Sequence, residues 1–437
     1  MIYRTFRGGV HPPESKDPTV DKSIKRAPLP EMVAIPLLQH TGAPCKSLVK
    51  AGDKVKRGQL IGKSDKFISS AIHASISGTV AKIEKYSHPV LGSINAVIIN
   101  SDGKDEPDPS IKDTEGVAKL SAEELRGIIR DAGIVGLGGA AFPAHVKLTP
   151  PAGKIIDSVI LNGAECEPYL TCDHHLMLEK GAQIIEGVRI ILKLTNASNV
   201  YIGIESNKMG AAFLMEKILR DARDKIHNAR IIALKTKYPQ GAEKQLIKSI
   251  TKREVPPRGL PLDVGCLVVN VGTAYAIYEA VFGGKPLYER AITISGNCVK
   301  EPLNLLVRIG TPVKALLDLC GGFTEDPAKM IFGGPMMGLT QFTLDLPIIK
   351  GTSGIVFLSK KGLAEYKETS CIRCAKCVDV CPMRLIPTDM IRLVKRGEYY
   401  GASEYSIEDC MECGACAYIC PSKIPILQWI NIGKAEV

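Results

Sequence analysis

The chain is 437 residues long, with 45% hydrophobic and 23% charged residues, which is typical of a globular protein with several domains. Aromatic residues make up only 5% of the sequence, so the composition offers no broad base-stacking surface and argues against nucleic-acid binding. The net charge of +10 includes a basic stretch between Glu205 and Arg258. That stretch either steers an acidic partner, phosphates or an anionic membrane surface, or forms an ordinary solvated helix face.

Residues 1–110 are predicted to form a β-sandwich. Short β-type runs at 49–61 and 72–83 are broken by turns at Gly52 and Gly78. The pattern resembles the lipoyl and biotinyl carrier fold, and Lys66 lies near the position where such domains carry a modified lysine. We interpret Lys66 as a surface lysine in a turn.

Residues 120–284 follow a polar, proline-containing linker and predict an α/β domain. Ser121 and Glu124 form a capping box that opens a helix ending at Gly133. Four β-type runs then alternate with helical segments, an alternation that indicates a mainly parallel sheet. The runs are 158–162, 199–203, 230–234 and 266–270, and the helical segments include 174–194 and 207–226.

Two smaller regions complete the chain. Residues 285–346 return to β patterns around a helix at 312–320, which predicts a β-grasp-like (SLBB-like) module. After a connecting segment to about residue 365, residues 362–437 are rich in cysteine and predict a helical dicluster ferredoxin domain. Thr388 is expected to cap a helix between the two cysteine motifs.

Eight of the fourteen cysteines form two copies of the motif C-x2-C-x2-C-x3-C-P. Three thiolates at this spacing surround one face of a [4Fe–4S] cluster, while the fourth reaches across to the other cluster. The predicted ligand sets are Cys371, Cys374, Cys377 and Cys420 for one cluster, and Cys410, Cys413, Cys416 and Cys381 for the other. Paired zinc sites are the alternative, although they usually show wider gaps between knuckles. Free thiolates indicate a reducing compartment, and we expect a cytoplasmic protein.

Polar and glycine-rich segments follow several strands of the predicted α/β domain. The loop Gly136–Pro143 allows close approach of backbone amides to a phosphate, with Lys147 as countercharge. The segments that start at Asn162 and at Asn270 each follow a β run. Because ligands of open α/β sheets bind at the carboxyl ends of the strands, these segments are expected to meet in one crevice.

These motifs resemble two related families. The loop and the segment Asn162–Pro168 are similar to the NADH- and FMN-binding flavoprotein subunit of respiratory complex I. Over nearly the whole chain, the sequence resembles the RnfC family of the membrane-bound Rnf ferredoxin:NAD+ oxidoreductases. The landmarks of that family are Phe6–Pro13, the Gly136 loop, Glu254–Pro257, Asn270–Ala274, Gly333–Gly338 and the two cysteine motifs.

The resemblance implies FMN and NAD(H) as cofactors, besides two [4Fe–4S] clusters. It places FMN on Gly136, Gly138, Gly139, Lys147, Asn162, Asn270 and Thr273, and the dinucleotide near Phe142, Glu165, Glu167 and Glu205. It further implies hydride exchange between NAD(H) and FMN without a catalytic side chain. The protein would be peripheral on the cytoplasmic side of the cell membrane, with membrane-embedded Rnf subunits as partners and, through them, ferredoxin.

Two other interpretations stay open at this stage. A cobalamin reductase contains the same modules, although that family places the sandwich-like domain after the clusters. A non-enzymatic dicluster wire or scaffold would share the cysteine motifs, but the presence of Lys147, Asn162 and Glu167 argues against a decayed flavin site.

Overall fold

The computed structural model describes residues 3–222, 226, 228–363 and 367–437. The predicted end of the helix at 207–226 and part of the connecting segment before residue 365 therefore lie outside the described residues. Strand β1 (Ile24–Arg26) is the first regular element, and it pairs in parallel with a strand far along the chain, at Asn304 to Leu306.

The β-sandwich predicted near the amino terminus is confirmed. Two sheets face each other, with strand orders β2-β8-β7-β4 and β3-β5-β6. The strands are β2 (Met32–Pro36), β3 (Lys46–Ser47), β4 (Lys54–Val55), β5 (Leu60–Lys63), β6 (Ile72–His73), β7 (Gly78–His88) and β8 (Gly92–Ser101). Alternate residues of these strands, including Val33, Ile35, Ile61 and Val97, fill the space between the sheets.

The central domain is the predicted α/β unit. Helix α1 (Ala122–Asp131) begins at the predicted capping box, in which Ser121 and Glu124 each satisfy the backbone N–H of the other. The other elements are α2 (Ala144–Lys147), β9 (Ser158–Gly163), α3 (Cys172–Thr195), β10 (Asn199–Glu205), α4 (Met209–Asp221), β11 (Ala229–Leu234), α5 (Glu243–Thr251), β12 (Cys266–Asn270) and α6 (Val271–Gly283).

The sheet of the central domain is parallel, with strand order β11-β10-β9-β12. The chain runs from β9 outward through β10 to β11 and then returns to the opposite side of β9. This reversal creates a crevice at the carboxyl ends of β9 and β12. Asn162 and Asn270 are direct partners in the register of these two strands, so they lie side by side at that edge.

A six-stranded mixed sheet follows, with strand order β1-β14-β13-β17-β15-β16. Its elements are β13 (Glu289–Gly296), β14 (Leu303–Arg308), α7 (Val313–Leu319), β15 (Pro327–Phe332), β16 (Leu339–Gln341) and β17 (Gly354–Ser359). The sheet extends beyond residues 285–346, because β1 and β17 complete it. Part of the segment expected to be a simple connection is therefore the buried strand β17.

The cysteine-rich end is helical, as predicted. Its helices are α8 (Lys376–Asp379), α9 (Pro387–Val394), α10 (Tyr399–Glu404), α11 (Ala415–Ile419) and α12 (Ile426–Glu436). The expectation that Thr388 caps α9 is wrong: the helix begins at Pro387, whose fixed φ and missing N–H suit the first helical position. Within the described residues, no helix is long and apolar enough to cross a lipid bilayer.

Candidate functional site

A cavity of about 740 Å³ lies at the carboxyl edge of the central sheet. Its volume is within the range of small-molecule and cofactor sites. The residues of the predicted cofactor site that line it are Gly136, Gly138, Gly139, Phe142, Lys147, Asn162, Glu165, Glu167, Asn270 and Thr273. The structure thus brings together ten of the eleven, from five separate segments of the chain.

The glycine-rich loop forms one wall of this cavity. The Leu137 N–H donates to Thr273 Oγ1 at 2.9 Å, so Thr273 holds the loop at the start of α6. A Cβ atom at Gly138 would lie 2.7 Å from Asn270 Nδ2, whereas a Cβ at Gly139 would meet no atom within 4 Å. Gly138 is thus required for packing against Asn270, and the backbone at Gly139 is open to a ligand.

The two asparagines are fixed by hydrogen bonds on both sides of their amides. Asn162 donates to the Gly241 carbonyl at 2.8 Å and accepts from the Ala164 N–H. Asn270 caps α6 by accepting from the Gly272 N–H at 2.8 Å, and its Nδ2 donates to Asp173 Oδ2 at 2.6 Å. These side chains hold the cavity floor in one conformation.

Lys147 supplies a positive charge beside the glycine loop. Its Nζ lies 2.5 Å from Glu243 Oε1, and both side chains are about one-third exposed. A surface ion pair of this kind is worth at most about 1 kcal/mol. A phosphate that enters the cavity can therefore displace Glu243 from Lys147 at low cost.

The two predicted glutamates bind backbone N–H groups of different elements. Glu165 accepts from Asp173 N at 2.7 Å and from His174 N at 3.3 Å, which stabilises the amino terminus of α3. Glu167 accepts from Met336 N at 3.0 Å and Met337 N at 2.9 Å, and thus ties the β9 edge to the loop between β15 and β16. Burial raises the pKa of Glu167 to about 7.

Asp173 is a cavity residue that no sequence motif indicated. Burial and the neighbouring Glu165 raise its pKa to about 7. Ligating atoms of Glu165, Cys172 and Asp173 lie within 4.8 Å of one another. The Cys172 thiol donates to the Ser353 carbonyl at 3.3 Å, and both carboxylates accept the hydrogen bonds described above, so we interpret this group as a network that shapes the cavity.

Glu205 is the predicted site residue that the structure does not bring into the cavity. It lies at the end of β10 and is 1% exposed. Its carboxylate contacts Lys208 Nζ at 3.3 Å and accepts from the Lys237 N–H at 3.3 Å. The strand end was predicted correctly, but the side chain turns toward this buried ion pair.

The first predicted cysteine set surrounds one small cavity in the carboxyl-terminal domain. Cys371, Cys374, Cys377 and Cys420 all line it, so the fourth cysteine does come from the other motif. Cys371 and Cys374 are exposed, whereas Cys377 and Cys420 are buried. This set, which we call the outer cluster site, therefore lies at the protein surface.

The second set consists of Cys410, Cys413, Cys416 and Cys381, and we call it the inner cluster site. Burial raises the pKa of Cys413 to about 12, with further contributions from Cys410 and Cys381. Buried thiols of this kind are neutral without a cation, and iron is the group that stabilises them as thiolates.

Backbone geometry in both motifs suits iron–sulfur clusters. The N–H groups of Arg373 and Glu412 donate to the first cysteine of each motif at 3.4 Å, as is usual for ligands whose sulfur is held by peptide amides. Left-handed φ values recur at the same places in the two copies. These residues are Arg373, Ala375 and Arg384 in the first copy, and Glu412, Gly414 and Lys423 in the second.

The inner cluster site and the large cavity share a wall. Met411 and Tyr238 both line the cavity, and Tyr238 packs against Cys413. Gln245 of α5 donates to the sulfur of Met383 at 3.2 Å, which joins the central domain to the cysteine motifs. Tyr238 is 1% exposed and its hydroxyl has no hydrogen-bond partner among the described residues, as expected for a group directed at a cofactor.

Comparison with family models assigns each module. An RnfC barrel sandwich hybrid domain matches residues 4–104 and a Nuo51 FMN-binding domain matches 129–279. An SLBB domain matches residues 291–340 and a 4Fe-4S dicluster domain matches 370–424. Together with the cavity and the two cysteine sites, these matches define an iron–sulfur flavoprotein with FMN and two [4Fe–4S] clusters.

Whole-chain relatives identify the family. The RnfC-type component of the proton-translocating ferredoxin:NAD(+) oxidoreductase complex of Clostridium ljungdahlii is 51% identical over 91% of this chain and 86% of its own length. Its counterpart in the Na(+)-translocating complex of Acetobacterium woodii is 46% identical over 90% of this chain and 88% of its own length. The corresponding component of the ion-translocating oxidoreductase complex of Rhodobacter capsulatus is 40% identical over 99% and 83%. The chain therefore belongs to the RnfC family of these oxidoreductase complexes.

A solved structure shows the same arrangement of modules at lower similarity. An NAD+-reducing [NiFe]-hydrogenase in the H2-reduced state matches with a TM-score of 0.51 and 15% identity. The match covers 74% of this chain and 63% of the hydrogenase chain, so this chain spans less than two thirds of that protein's length. At this identity the likeness concerns the fold alone.

Proposed function

We propose that this chain is the peripheral NADH-dehydrogenase subunit of an ion-translocating Rnf electron transport complex, which links NAD(H) to ferredoxin through FMN and two [4Fe–4S] clusters. Bound flavin converts a two-electron hydride step into the one-electron steps that such clusters carry. The observation that carries the proposal is the shared wall, since Tyr238 and Met411 separate the cofactor cavity from the inner cysteine set.

The side chains of the cavity bind and orient cofactors rather than transfer protons. In this proposal the Gly136–Gly139 loop and Lys147 hold the FMN phosphate, while Asn162, Asn270 and Thr273 fix the floor beneath it. Phe142 provides an aromatic face, with Glu165 and Glu167 beside the dinucleotide. The buried wall excludes water from the reacting face, which favours hydride transfer over side reactions.

The eight cysteines continue this path to the surface. Cys410, Cys413, Cys416 and Cys381 would hold the inner cluster next to the cavity, and Cys371, Cys374, Cys377 and Cys420 the outer one. Cys371 and Cys374 are exposed, and the neighbouring Ile372 is 66% exposed. This surface suits an electron-transfer partner, and we propose that membrane-embedded Rnf subunits dock there, on the cytoplasmic side of the membrane.

Anaerobic purification followed by cofactor analysis tests the proposal. We expect about eight irons with matching sulfide, as in two four-iron clusters, and one FMN per chain. NADH should reduce an artificial one-electron acceptor, and the same preparation after FMN removal is the matched control. Zinc in place of iron would exclude the clusters. A flavin-free protein inert toward NADH, even after FMN is added, would leave only a wire or scaffold.

A further inference from the structure

The segment of residues 4–16, which we call the amino-terminal segment, runs along the edge of the central sheet. The Arg4 N–H donates to the Ala233 carbonyl and the Lys235 N–H to the Arg4 carbonyl, both at 2.9 Å. Further along, Val10 and Tyr238 exchange two backbone hydrogen bonds of 2.8 and 2.9 Å. The segment therefore fixes the backbone of Tyr238, the residue between the cavity and the inner cluster site.

The same segment contacts the loop that bears the fourth cysteine of the inner set. The Gly9 N–H donates to the Val380 carbonyl at 2.7 Å. Gly8 has a φ of +80°, and a Cβ atom there would lie 2.9 Å from the Cys381 carbonyl oxygen. Only glycine fits this combination of backbone conformation and close approach.

The buried side of the segment reaches the cavity loop as well. The ammonium group of Lys16 donates to the carbonyls of Glu165 and Glu167 at 2.9 Å, and also to that of Leu170. Lys16 is 6% exposed. One stretch of thirteen residues thus contacts the cavity loop, the wall residue Tyr238 and the cysteine loop of the inner site.

We propose that Gly8, Gly9 and Val10 are positioning residues that set the spacing between the cofactor cavity and the inner cluster site. This inference rests on the proposed function and adds a residue-level control of its central step. Gly9 and Val10 are adjacent, so the hydrogen bonds to Val380 and Tyr238 lie one residue apart. Consecutive Cα atoms are separated by about 3.8 Å, and neither wall can move away from the other unless one of these bonds breaks.

Gly8→Ala tests the proposal, with Gly52→Ala as the matched control. Gly52 has a similar φ of +90°, but a Cβ there would meet no atom within 4 Å. Both variants should keep FMN, iron and the rate of flavin bleaching by NADH. The rate of cluster reduction should fall about tenfold in Gly8→Ala alone, because a misplacement of about 1 Å costs up to about 100-fold in rate. The EPR signal of the inner cluster should change in the same variant.

Lys237→Met is a milder second variant. The Lys237 ammonium donates to the Phe6 carbonyl at 2.9 Å and lies 4.4 Å above the Phe6 ring, so its loss loosens the segment without a clash. It should slow cluster reduction in the same direction by a smaller factor, and it decides the question if Gly8→Ala does not fold.

Two results would overturn the positioning role. One is a Gly8→Ala protein with full cofactor content and wild-type cluster reduction, or an unfolded Gly8→Ala together with unchanged kinetics in Lys237→Met. The other is equal slowing in Gly8→Ala and Gly52→Ala. Failure of the proposed function is distinct, because then NADH does not bleach the flavin of the wild-type protein either.

Discussion

Replacement of Lys147 by methionine is expected to weaken FMN binding about 10- to 100-fold. The substitution removes a charge-assisted hydrogen bond to the phosphate, which is worth about 1.5 to 3 kcal/mol, and about 1.4 kcal/mol corresponds to a tenfold change in Kd. Lys147 must leave Glu243 to bind the phosphate, and that exposed pair is worth at most about 1 kcal/mol. Glu243→Gln should therefore tighten FMN binding by up to about fivefold.

Fluorescence titration of flavin-free protein with FMN, under anaerobic conditions, measures these changes. Lys154→Met is the matched control, because Lys154 also pairs with a carboxylate, at 2.7 Å from Asp263, and does not line the cavity. The opposite signs expected for Lys147→Met and Glu243→Gln separate a direct role from a general loss of stability. A Kd in Lys147→Met equal to that of the control would refute a phosphate contact at Lys147.

Three further perturbations test other parts of the structure. Cys420→Ala should lose the outer cluster and Cys381→Ala the inner one, each leaving about four irons; the same residual EPR signal in both variants would contradict the crossed ligand sets. Val90→Asp should raise the Kd for NADH, because Val90 lines the cavity and a carboxylate there repels an anionic dinucleotide, whereas Leu91→Asp, outside the cavity, should not; equal Kd values would exclude the hairpin from the site. Burial raises the pKa of Glu167 from 4.5 to about 7, so the folded state binds the extra proton between these values and loses about 3 kcal/mol of stability as pH rises through them. Urea unfolding on both sides of this window should show a smaller loss for Glu167→Gln, and an identical loss would show that Glu167 does not titrate there.

Local sequence signals predicted the elements that depend on near neighbours. The capping box at Ser121, the four parallel strands and the tandem cysteine spacing are each encoded within a few residues. The convergence at the carboxyl edge followed from sheet geometry, and the pairing of Asn162 with Asn270 bears it out.

Long-range pairing was the part that periodicity could not reveal. Strand β1 pairs with β14, and Arg4 bridges to Leu234, although the partners are more than 200 residues apart in the chain. Asp173 was missed for a related reason, since its role depends on Glu165 and Asn270 rather than on a motif around it. The orientation of Glu205 depends on the buried Lys208, which no strand pattern indicates.

Exposure of Cys371 and Cys374 has a practical consequence for anyone who assays this protein. Oxygen and chelators reach the surface-exposed thiolates first, because oxidation of cysteine follows accessibility. Material handled in air would keep its buried flavin chemistry and still turn over NADH with small dyes, while delivery to a docked protein partner is already lost. A dye-based assay would therefore report a healthy preparation after the physiological outlet has been damaged.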